Sequence, residues 1–506
     1  MRFSPLKCAG VACAVLLAFL SAHAAQSAVA DAAERRDWNG LLDQIFAKAD
    51  VNAPQADGTT ALHWAVHHDD LATMKALLAA GANASATNAY GVPPLSLACV
   101  NGNERIAREL LVSGADPNTT LRGGETVLMT AARTGRVGPV AALLDSGAKV
   151  DAQDRKGQTA LMWAAADGHA EVVALLIKSG ADMHHRLKSG FTPLLFAARE
   201  GRIEVARVLL KAGANANESI ETEKNGKRTP LEGTTALILA VENGHFELAM
   251  ELVNTGADPN DQRSGYTALH VVTWVRKPNR GDDEAGQPPP VGSGKLTSLD
   301  FVRQIVAKGA DVNARLNKGD GGRGKLSLKL ATPFLMASKT ADLQLMKLLV
   351  ELGADPSMPN GDGATPLMAA AGLGCLAPDE ESGTEPECVE AVKYLLTLGA
   401  NVNAVDRNGE TAMHGAAYKS LPKVVQFLAE NGAKIDTWNT TNRWGWTPLR
   451  IAEGYRPGNF KPSYETIAAL KQVMADAGVS VSTRPVTSGS ATSESYAPEV
   501  NKKPAP

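Results

Sequence analysis

The sequence has few aromatic residues, few cysteines and almost no net charge. Phe, Trp and Tyr make up 5% of its 506 residues, so a folded core has to be built mainly from small and aliphatic side chains. The net charge of -3 gives no basic excess, and we therefore predict no nucleic acid among the partners. The hydrophobic share of 44% and the charged share of 21% are typical of a folded soluble protein.

The sequence motifs of common enzymes are also missing. We find no Ser-His-Asp order, no G-x-S-x-G elbow, no H-E-x-x-H helix and no paired-cysteine zinc spacing. GDGGRGKL at 319–326 is similar to a phosphate-binding loop, but Leu326 stands where Ser or Thr would hold magnesium. The sequence therefore predicts neither catalysis nor a cofactor.

A long apolar run occurs at the N-terminus. CAGVACAVLLAFL at 8–20 follows Arg2 and Lys7 and precedes the small residues SAHAAQ. This order is typical of a bacterial Sec-type signal peptide, with cleavage after Ala24 and a second candidate site after Ala30. A permanent anchor is the alternative, but the run is too short to span a bilayer, so we expect no stable membrane insertion. The expected location is the periplasm or the medium.

A fixed period organises the rest of the chain. Gly-Ala, usually followed by Asp or Asn, recurs every 33 residues at Gly81, Gly114, Gly147, Gly180 and Gly213. The pair continues at wider and less regular intervals at Gly256, Gly309, Gly353, Gly399 and Gly432. A repeated period of this length indicates stacked supersecondary units with insertions in the later copies.

A second landmark shows what each unit contains. It reads GTTALHWA at 58–65, GQTALMWAAADGH at 157–169 and GFTPLLFAAREG at 190–201. The Gly permits a tight turn, the Thr caps a helix, and Pro or Ala suits its first turn. A second amphipathic helix follows, as in HAEVVALLIKSG at 169–180, and ends at a Gly. Each unit is therefore predicted to be turn, helix, turn, helix and a projecting loop.

These strings resemble the ankyrin repeat over about residues 31–480. The resemblance implies an all-α repeat solenoid of stacked helix-turn-helix units, with hairpin fingers beside a concave groove. It also implies about eleven repeats in 58–480, regular in 58–218 and insertion-bearing in 219–480. We expect a signal peptide in 1–24, a linker and capping helix in 25–57, and a disordered tail in 481–506. The extra residues lie at 219–232, 275–297, 315–330, 373–388 and 454–463.

The resemblance also indicates where a partner would bind. Three aromatic residues directly follow a turn Gly, a position that points outward near the finger tips in the family: Phe191, Tyr266 and Trp446. Polar residues of the inner helices would line the groove beside them: Arg133, Arg199, Glu200, Glu242 and Asn243. Plain solvation is the alternative for the polar set. We assign Trp64, Trp163 and Phe196 to the core.

Two cysteines flank a short acidic loop in the 373–388 insertion. Cys375 and Cys388 are separated by twelve residues whose ends have to lie close together, and we predict a disulfide. The acidic residues of the loop leave calcium binding as an alternative. Cys99 takes a small-residue position and is expected to be buried and reduced. HHDD at 67–70 could suggest a metal site, but Asp there can cap the second helix, and we favour that interpretation.

The function predicted from these features is that of an exported, monomeric scaffold that binds an unidentified protein through its groove and finger tips, without catalysis. A structural or assembly role in the cell envelope is the alternative. A metal-dependent function of the inserted loops is the third candidate.

Overall fold

The computed structural model describes residues 27–222, 232–280, 288–319, 321–456 and 461–479. The chain is all-α in these ranges, where the only β pairing is two isolated antiparallel bridges, Thr120–Thr126 and Ser219–Thr235. The predicted all-α repeat solenoid is thereby confirmed. The predicted signal peptide and the predicted disordered tail both lie outside the described residues.

The helices belong to two compact units. Unit 1 is Met1–Asn215 with Glu221–Lys227, and unit 2 is Ala216–Ile220 with Arg228–Pro506. The described helices of unit 1 are α1 Ala28–Glu34, α2 Trp38–Phe46, α3 Ala61–His67, α4 Leu71–Ala79, α5 Pro94–Asn101, α6 Glu104–Val112, α7 Val127–Thr134, α8 Val137–Asp145, α9 Ala160–Asp167, α10 Ala170–Lys178, α11 Pro193–Arg199 and α12 Ile203–Lys211.

Unit 2 repeats the same pairing with longer connections. Its described helices are α13 Ala236–Glu242, α14 Phe246–Asn254, α15 Ala268–Arg276, α16 Ser298–Ala307, α17 Pro333–Lys339, α18 Leu343–Glu351, α19 Pro366–Ala370, α20 Glu385–Thr397, α21 Ala412–Tyr418, α22 Pro422–Glu430, α23 Ile435–Trp438, α24 Pro448–Ala452 and α25 Tyr464–Asp476. In their described residues, the insertions at 219–232, 315–330 and 454–463 fall between helices, whereas 275–297 begins in the last two residues of α15 and 373–388 ends in the first four residues of α20. Two of the five occur in finger regions, and three connect the helices of a pair.

Each unit has two layers of helices. The first helices of successive pairs contact one another and form the A layer, for example α3, α5 and α7. The second helices, such as α6, α8 and α10, form the B layer in the same way. Close approach within the A layer depends on one small residue per helix, fully buried at Ala65, Ala98, Ala131, Ala164 and Ala197. The core therefore lies between the layers and needs few aromatic rings.

The Thr that was predicted to cap the A helices does so in most repeats, whereas Pro93 stands at the N-cap of α5 and makes no side-chain cap. Thr159 Oγ1 accepts a hydrogen bond from Met162 N at 3.4 Å, in the manner of an N-cap. In the repeat that reads TALH at 60–63, His63 Nδ1 contacts Thr60 Oγ1 at 2.8 Å, and His63 Nε2 lies 3.0 Å from Val92 O of the next repeat. The His therefore joins the cap of one helix to the turn of its neighbour.

The fingers are joined by an Asn ladder. Asn118 Nδ2 donates to Gly147 O at 3.2 Å, and Lys149 N donates back to Asn118 Oδ1 at 2.8 Å. The same pair of bonds to the following repeat is made by Asn52, Asn217, Asn260, Asn313 and Asn403. Asp151 replaces Asn in one repeat and keeps only the acceptor, for Asp182 N at 2.9 Å. Each finger therefore positions the next.

The N-terminal segment contains two helices where one was predicted. Besides α2, which begins at Trp38, the chain forms α1 from Ala28 to Glu34, and α1 packs on α3. Val29 and Ala30 of α1 are buried at 3% and 0% exposure. Cleavage after Ala30 would remove both of them from the core.

Candidate functional site

Aromatic side chains recur on the A helices of unit 1. Trp64, Trp163 and Phe196 each stand four residues after the capping Thr of their helix. We call these rings, together with Arg133 and Arg199, the A-face of unit 1. We predicted all three rings to lie in the core. Phe196 does, at 8% exposure, but Trp64 and Trp163 are only half-buried.

Arginines cover two of these rings. The guanidinium carbon of the exposed Arg133 lies 5.4 Å from the ring centroid of Trp163, on the next A helix. Arg199 lies 5.1 Å from the centroids of both Phe191 and Phe196. Each contact is worth about 0.5–1 kcal/mol at an exposed site and holds the arginine in place. The A-face therefore presents arginines that are already ordered.

The N-terminal end of the A-face has a cluster of rings and histidines. His68 stacks on Trp64 with centroids 5.8 Å apart and meets the edge of Trp38 at 6.0 Å. Trp64 Nε1 donates to Gln55 Oε1 at 2.8 Å, so its polar edge is satisfied. Asp70 caps α4 by accepting from Thr73 N at 2.9 Å, as predicted for the HHDD stretch.

The three aromatic residues that we predicted to be exposed near the finger tips are buried or half-buried instead. Phe191 is 7% exposed and packs on Phe196, with centroids 5.1 Å apart, while Trp446 is 9% exposed. Tyr266 is half-buried, with its ring edge-on to Trp274 at 5.0 Å. The prediction of exposed rings is wrong because the residue after the turn Gly folds back onto the A helices.

The residue before the turn Gly points outward instead. Tyr90, which precedes Gly91, is 63% exposed at its finger. Trp444 precedes Gly445 and is half-buried beside Trp446, with their centroids 5.9 Å apart. We predicted the position after the Gly and so missed Tyr90, although the sequence shows an aromatic residue directly before that Gly.

The predicted polar set divides into two groups. Arg133 is exposed, and Arg199 is half-buried and forms an ion pair with Glu200 at 2.8 Å. Asn243 uses its amide to bond Leu239 O of its own helix at 2.8 Å. Glu242 is half-buried, and burial raises the pKa of its carboxyl. Arg133, Arg199 and Glu200 therefore belong to unit 1, and the other two belong to unit 2.

In unit 2 the chain's own finger insertion covers the A helices. Leu326 and Leu328 pack against a buried cluster that includes Leu335, Met336 and Ala369. Arg323 of the same segment lies 4.8 Å from the ring centroid of Trp446. Small residues make room for it, because a side chain at Gly374 would collide with the backbone of Leu326. We call residues 321–328 the covering segment.

The insertions at 275–297 and 454–463 contact the 373–388 loop, as does the end of helix α17. Lys277 pairs with Glu387, and Lys339 Nζ lies 3.2 Å from Glu381. Arg456 Nη1 donates to Cys375 O at 3.3 Å. These loops are therefore tied to the repeats by charged contacts and are not merely solvated extensions.

Both cysteines of that loop are free thiols. Cys375 and Cys388 are buried at 2% and 0% exposure, and no disulfide joins them. The predicted disulfide is absent from the structure, in which the Cys388 thiol donates to Gly383 O at 3.7 Å. Cys99 is also free and buried, as predicted.

Neither a metal cluster nor a membrane span occurs in the described ranges. No group of three or more His, Cys, Asp or Glu side chains there is arranged to hold a metal ion. Among the helices described, none has the length and apolar character needed to cross a bilayer.

Known proteins match the repeats. The family model described as "Ankyrin repeats (3 copies)" matches residues 30–121, 97–187, 128–220, 217–277 and 383–469, more than half of the chain. Human ankyrin repeat and SOCS box protein 16 is 28% identical over 180 residues, which are 35% of this chain and 34% of that protein. The palmitoyltransferase AKR1 of Lachancea kluyveri is 29% identical over 151 residues, 30% of this chain and 18% of that protein.

Among solved structures, the human ASB11 ankyrin repeat domain has 26% sequence identity and a TM-score of 0.39, and the match covers 46% of this chain and 98% of that one. The aligned part of the chain spans about a third or less of the length of the curated relatives it matches.

Proposed function

Since this chain belongs to the ankyrin repeat family, we propose that it is a non-catalytic scaffold that binds another protein through the A-face of unit 1 and the adjoining fingers. Stacked repeats present an extended surface of the kind that repeat proteins use to bind partners. Tryptophan and arginine are the residues that most often dominate binding energy at protein interfaces. The A-face has both, with Arg133 ordered over Trp163.

The observation that favours unit 1 over unit 2 is the covering segment. In unit 2 it lies on the A helices, and its half-buried leucines pack against a cluster that includes Met336 and Ala369. Unit 1 keeps a regular period of 33 residues from Gly81 to Gly213 and has no insertion of comparable length in that stretch. A partner would therefore meet half-exposed Trp64 and Trp163 there.

Site-directed photo-crosslinking in living cells tests this proposal. A crosslinking residue at Val100, 56% exposed on an A helix, and one at Tyr90 on a finger should capture the same partner. Val112 is the matched control, because it is 87% exposed on a B helix. The captured product should disappear when Arg133→Glu is combined with Trp163→Ala. Equal products from Val100 and Val112 would exclude the A-face as the binding surface.

Export is a further part of the proposal. The apolar run at 8–20 with flanking Arg2 and Lys7 supports a cleaved signal peptide, and the burial of Val29 and Ala30 favours cleavage after Ala24. Cell fractionation followed by N-terminal sequencing should give mature protein that starts at Ala25. A full-length chain in the cytoplasm would contradict export while leaving the binding surface untouched.

A further inference from the structure

A cavity of about 400 Å³ lies between two insertions of unit 2. The 373–388 insertion contributes Asp379 and Glu380 to its lining, and the 454–463 insertion contributes Arg456 and Lys461. The hydroxyl-bearing residues Ser420 and Ser463 line it too. Its volume is in the range of small-molecule sites, although it is built from loops that the repeat pattern does not contain.

Arg456 is the most unusual member of this lining. It is only 4% exposed, and its guanidinium forms no ion pair with any carboxylate of the described residues. Its Nη1 donates to the carbonyls of Cys375 and Tyr418, but its Nε–H, also buried, has no hydrogen-bond partner in the described part of the chain. The Glu381 carboxylate acts on Arg456 electrostatically without forming an ion pair with it, so the cost of burying this cation is only partly offset. An anion entering the cavity would offset that cost.

The four charged groups do not pair with one another. Neither carboxylate, Asp379 nor Glu380, lies within 4.0 Å of the charged nitrogens of Arg456 or Lys461. Two cations from one insertion and two carboxylates from the other therefore line one cavity without neutralising each other. A ligand with charges of both signs would satisfy both walls at once.

The helix at the edge of the cavity adds to the cationic wall. Helix α25 has 13 residues, and its N-cap Ser463 makes no capping hydrogen bond to a backbone amide. The Ser463 hydroxyl instead donates to Thr466 Oγ1 at 2.9 Å. The first amides of α25 and the positive end of its dipole favour a negative group beside Lys461 and Arg456.

We propose that this cavity binds a small zwitterion, with its carboxylate at Arg456 and Lys461 and its ammonium group at Asp379 and Glu380. Free amino acids and short peptides share this chemistry, and both are small enough for the cavity. The site is separate from the A-face of unit 1, so it does not depend on the scaffold proposal.

Calorimetric titration of the full chain tests the site with four probes: glycine, glycylglycine, acetate and methylammonium. At least one of the two zwitterions should bind, and acetate and methylammonium should each bind at least tenfold more weakly. The zwitterion that binds more tightly distinguishes an amino acid from a peptide. Lys461→Ala should weaken binding at least tenfold, and Asp379→Asn combined with Glu380→Gln should abolish the preference over acetate.

Matched variants keep the result interpretable. Lys308→Ala removes an exposed lysine at the end of α16, outside the cavity, and should leave binding unchanged. Arg456→Lys keeps a cation and loses the guanidinium fork, so it should weaken binding in a protein whose circular dichroism is unaltered. Absence of heat with both zwitterions, acetate binding as tight as glycine binding, or binding insensitive to Lys461→Ala would each overturn the proposal.

Discussion

Glu410 is a buried carboxylic acid whose protonation affects the stability of unit 2. It is 3% exposed, and it accepts hydrogen bonds from Tyr418 Oη at 2.8 Å and from Asn442 Nδ2 at 2.9 Å. Burial raises the pKa of its carboxyl from 4.5 to about 7. The folded protein therefore holds a proton on Glu410 at a pH where the unfolded chain has lost it.

This proton makes the stability of unit 2 depend on pH. A pKa raised on folding stabilises the folded state below pH 4.5, and this contribution is lost as the pH rises through about 7. Between about pH 5 and 8.5 the loss should be about 2 to 3 kcal/mol. Glu410→Gln should remove this part of the pH dependence, measured by urea unfolding at both values. Glu430→Gln, at an exposed position, is the control, and equal slopes for the two variants would contradict the prediction.

The thiols provide a second prediction at the scale of single residues. Burial raises the pKa of both Cys99 and Cys375 to about 12, and it also raises that of Cys388. Purified protein lacking residues 1–24 should therefore give almost no reaction with a disulfide reagent when native, because thiolates are the reactive form. Three thiols should react after denaturation. A count of one would mean that Cys375 and Cys388 are bonded in the purified protein after all.

At the scale of the element, each repeat is specified by local rules that the sequence displays. Thr159 caps α9, and Gly168 ends it in the left-handed conformation with φ of 92°. The Asn ladder goes beyond these local rules, since Asn118 bonds residues that are 29 and 31 positions away. Only the stacking of repeats brings those groups together.

The contribution of the Asn ladder to stability can be tested at Asn118. Asn118→Ala should remove both bonds at a cost of about 1–2 kcal/mol, and hydrogen exchange of the Lys149 amide should accelerate. Asn118→Asp keeps the acceptor, as Asp151 does naturally, and should leave Lys149 largely protected. Unchanged exchange in Asn118→Ala would show that the ladder contributes little.

At the scale of the whole molecule, the pattern of contacts within each unit is local along the chain. In unit 1, α10 packs on α9 of its own pair and on α8 and α12 of the neighbouring pairs. Repeat arrays of this kind behave as a sum of repeat stabilities and nearest-neighbour terms. Damage to one repeat should therefore spread only to adjacent repeats.

Leu176, fully buried in α10, is suited to this test. Leu176→Ala should cost about 2–5 kcal/mol and increase hydrogen exchange in α8, α10 and α12. The same variant should leave α1 and α2 unchanged, because they form the first helix pair of the described residues and α10 belongs to a later one. If hydrogen exchange became faster by the same factor throughout unit 1, the unit would unfold as one cooperative unit, and the prediction would be wrong. Lys178→Ala at the exposed end of α10 is the control.

The sequence by itself predicted the repeat, the capping Thr and the closing Gly, because these follow from backbone requirements within one period of 33 residues. It also predicted the positions of the insertions, because they interrupt that period. Local rules did not decide which side chains are exposed. Phe191 and Trp446 were expected outside and lie buried, while Trp64 and Trp163 were expected inside and lie half-exposed. Their exposure depends on neighbouring repeats and on the covering segment. Tertiary structure alone placed Arg456 and the distant Asp379 around one cavity, because packing of the repeats brings their two insertions together.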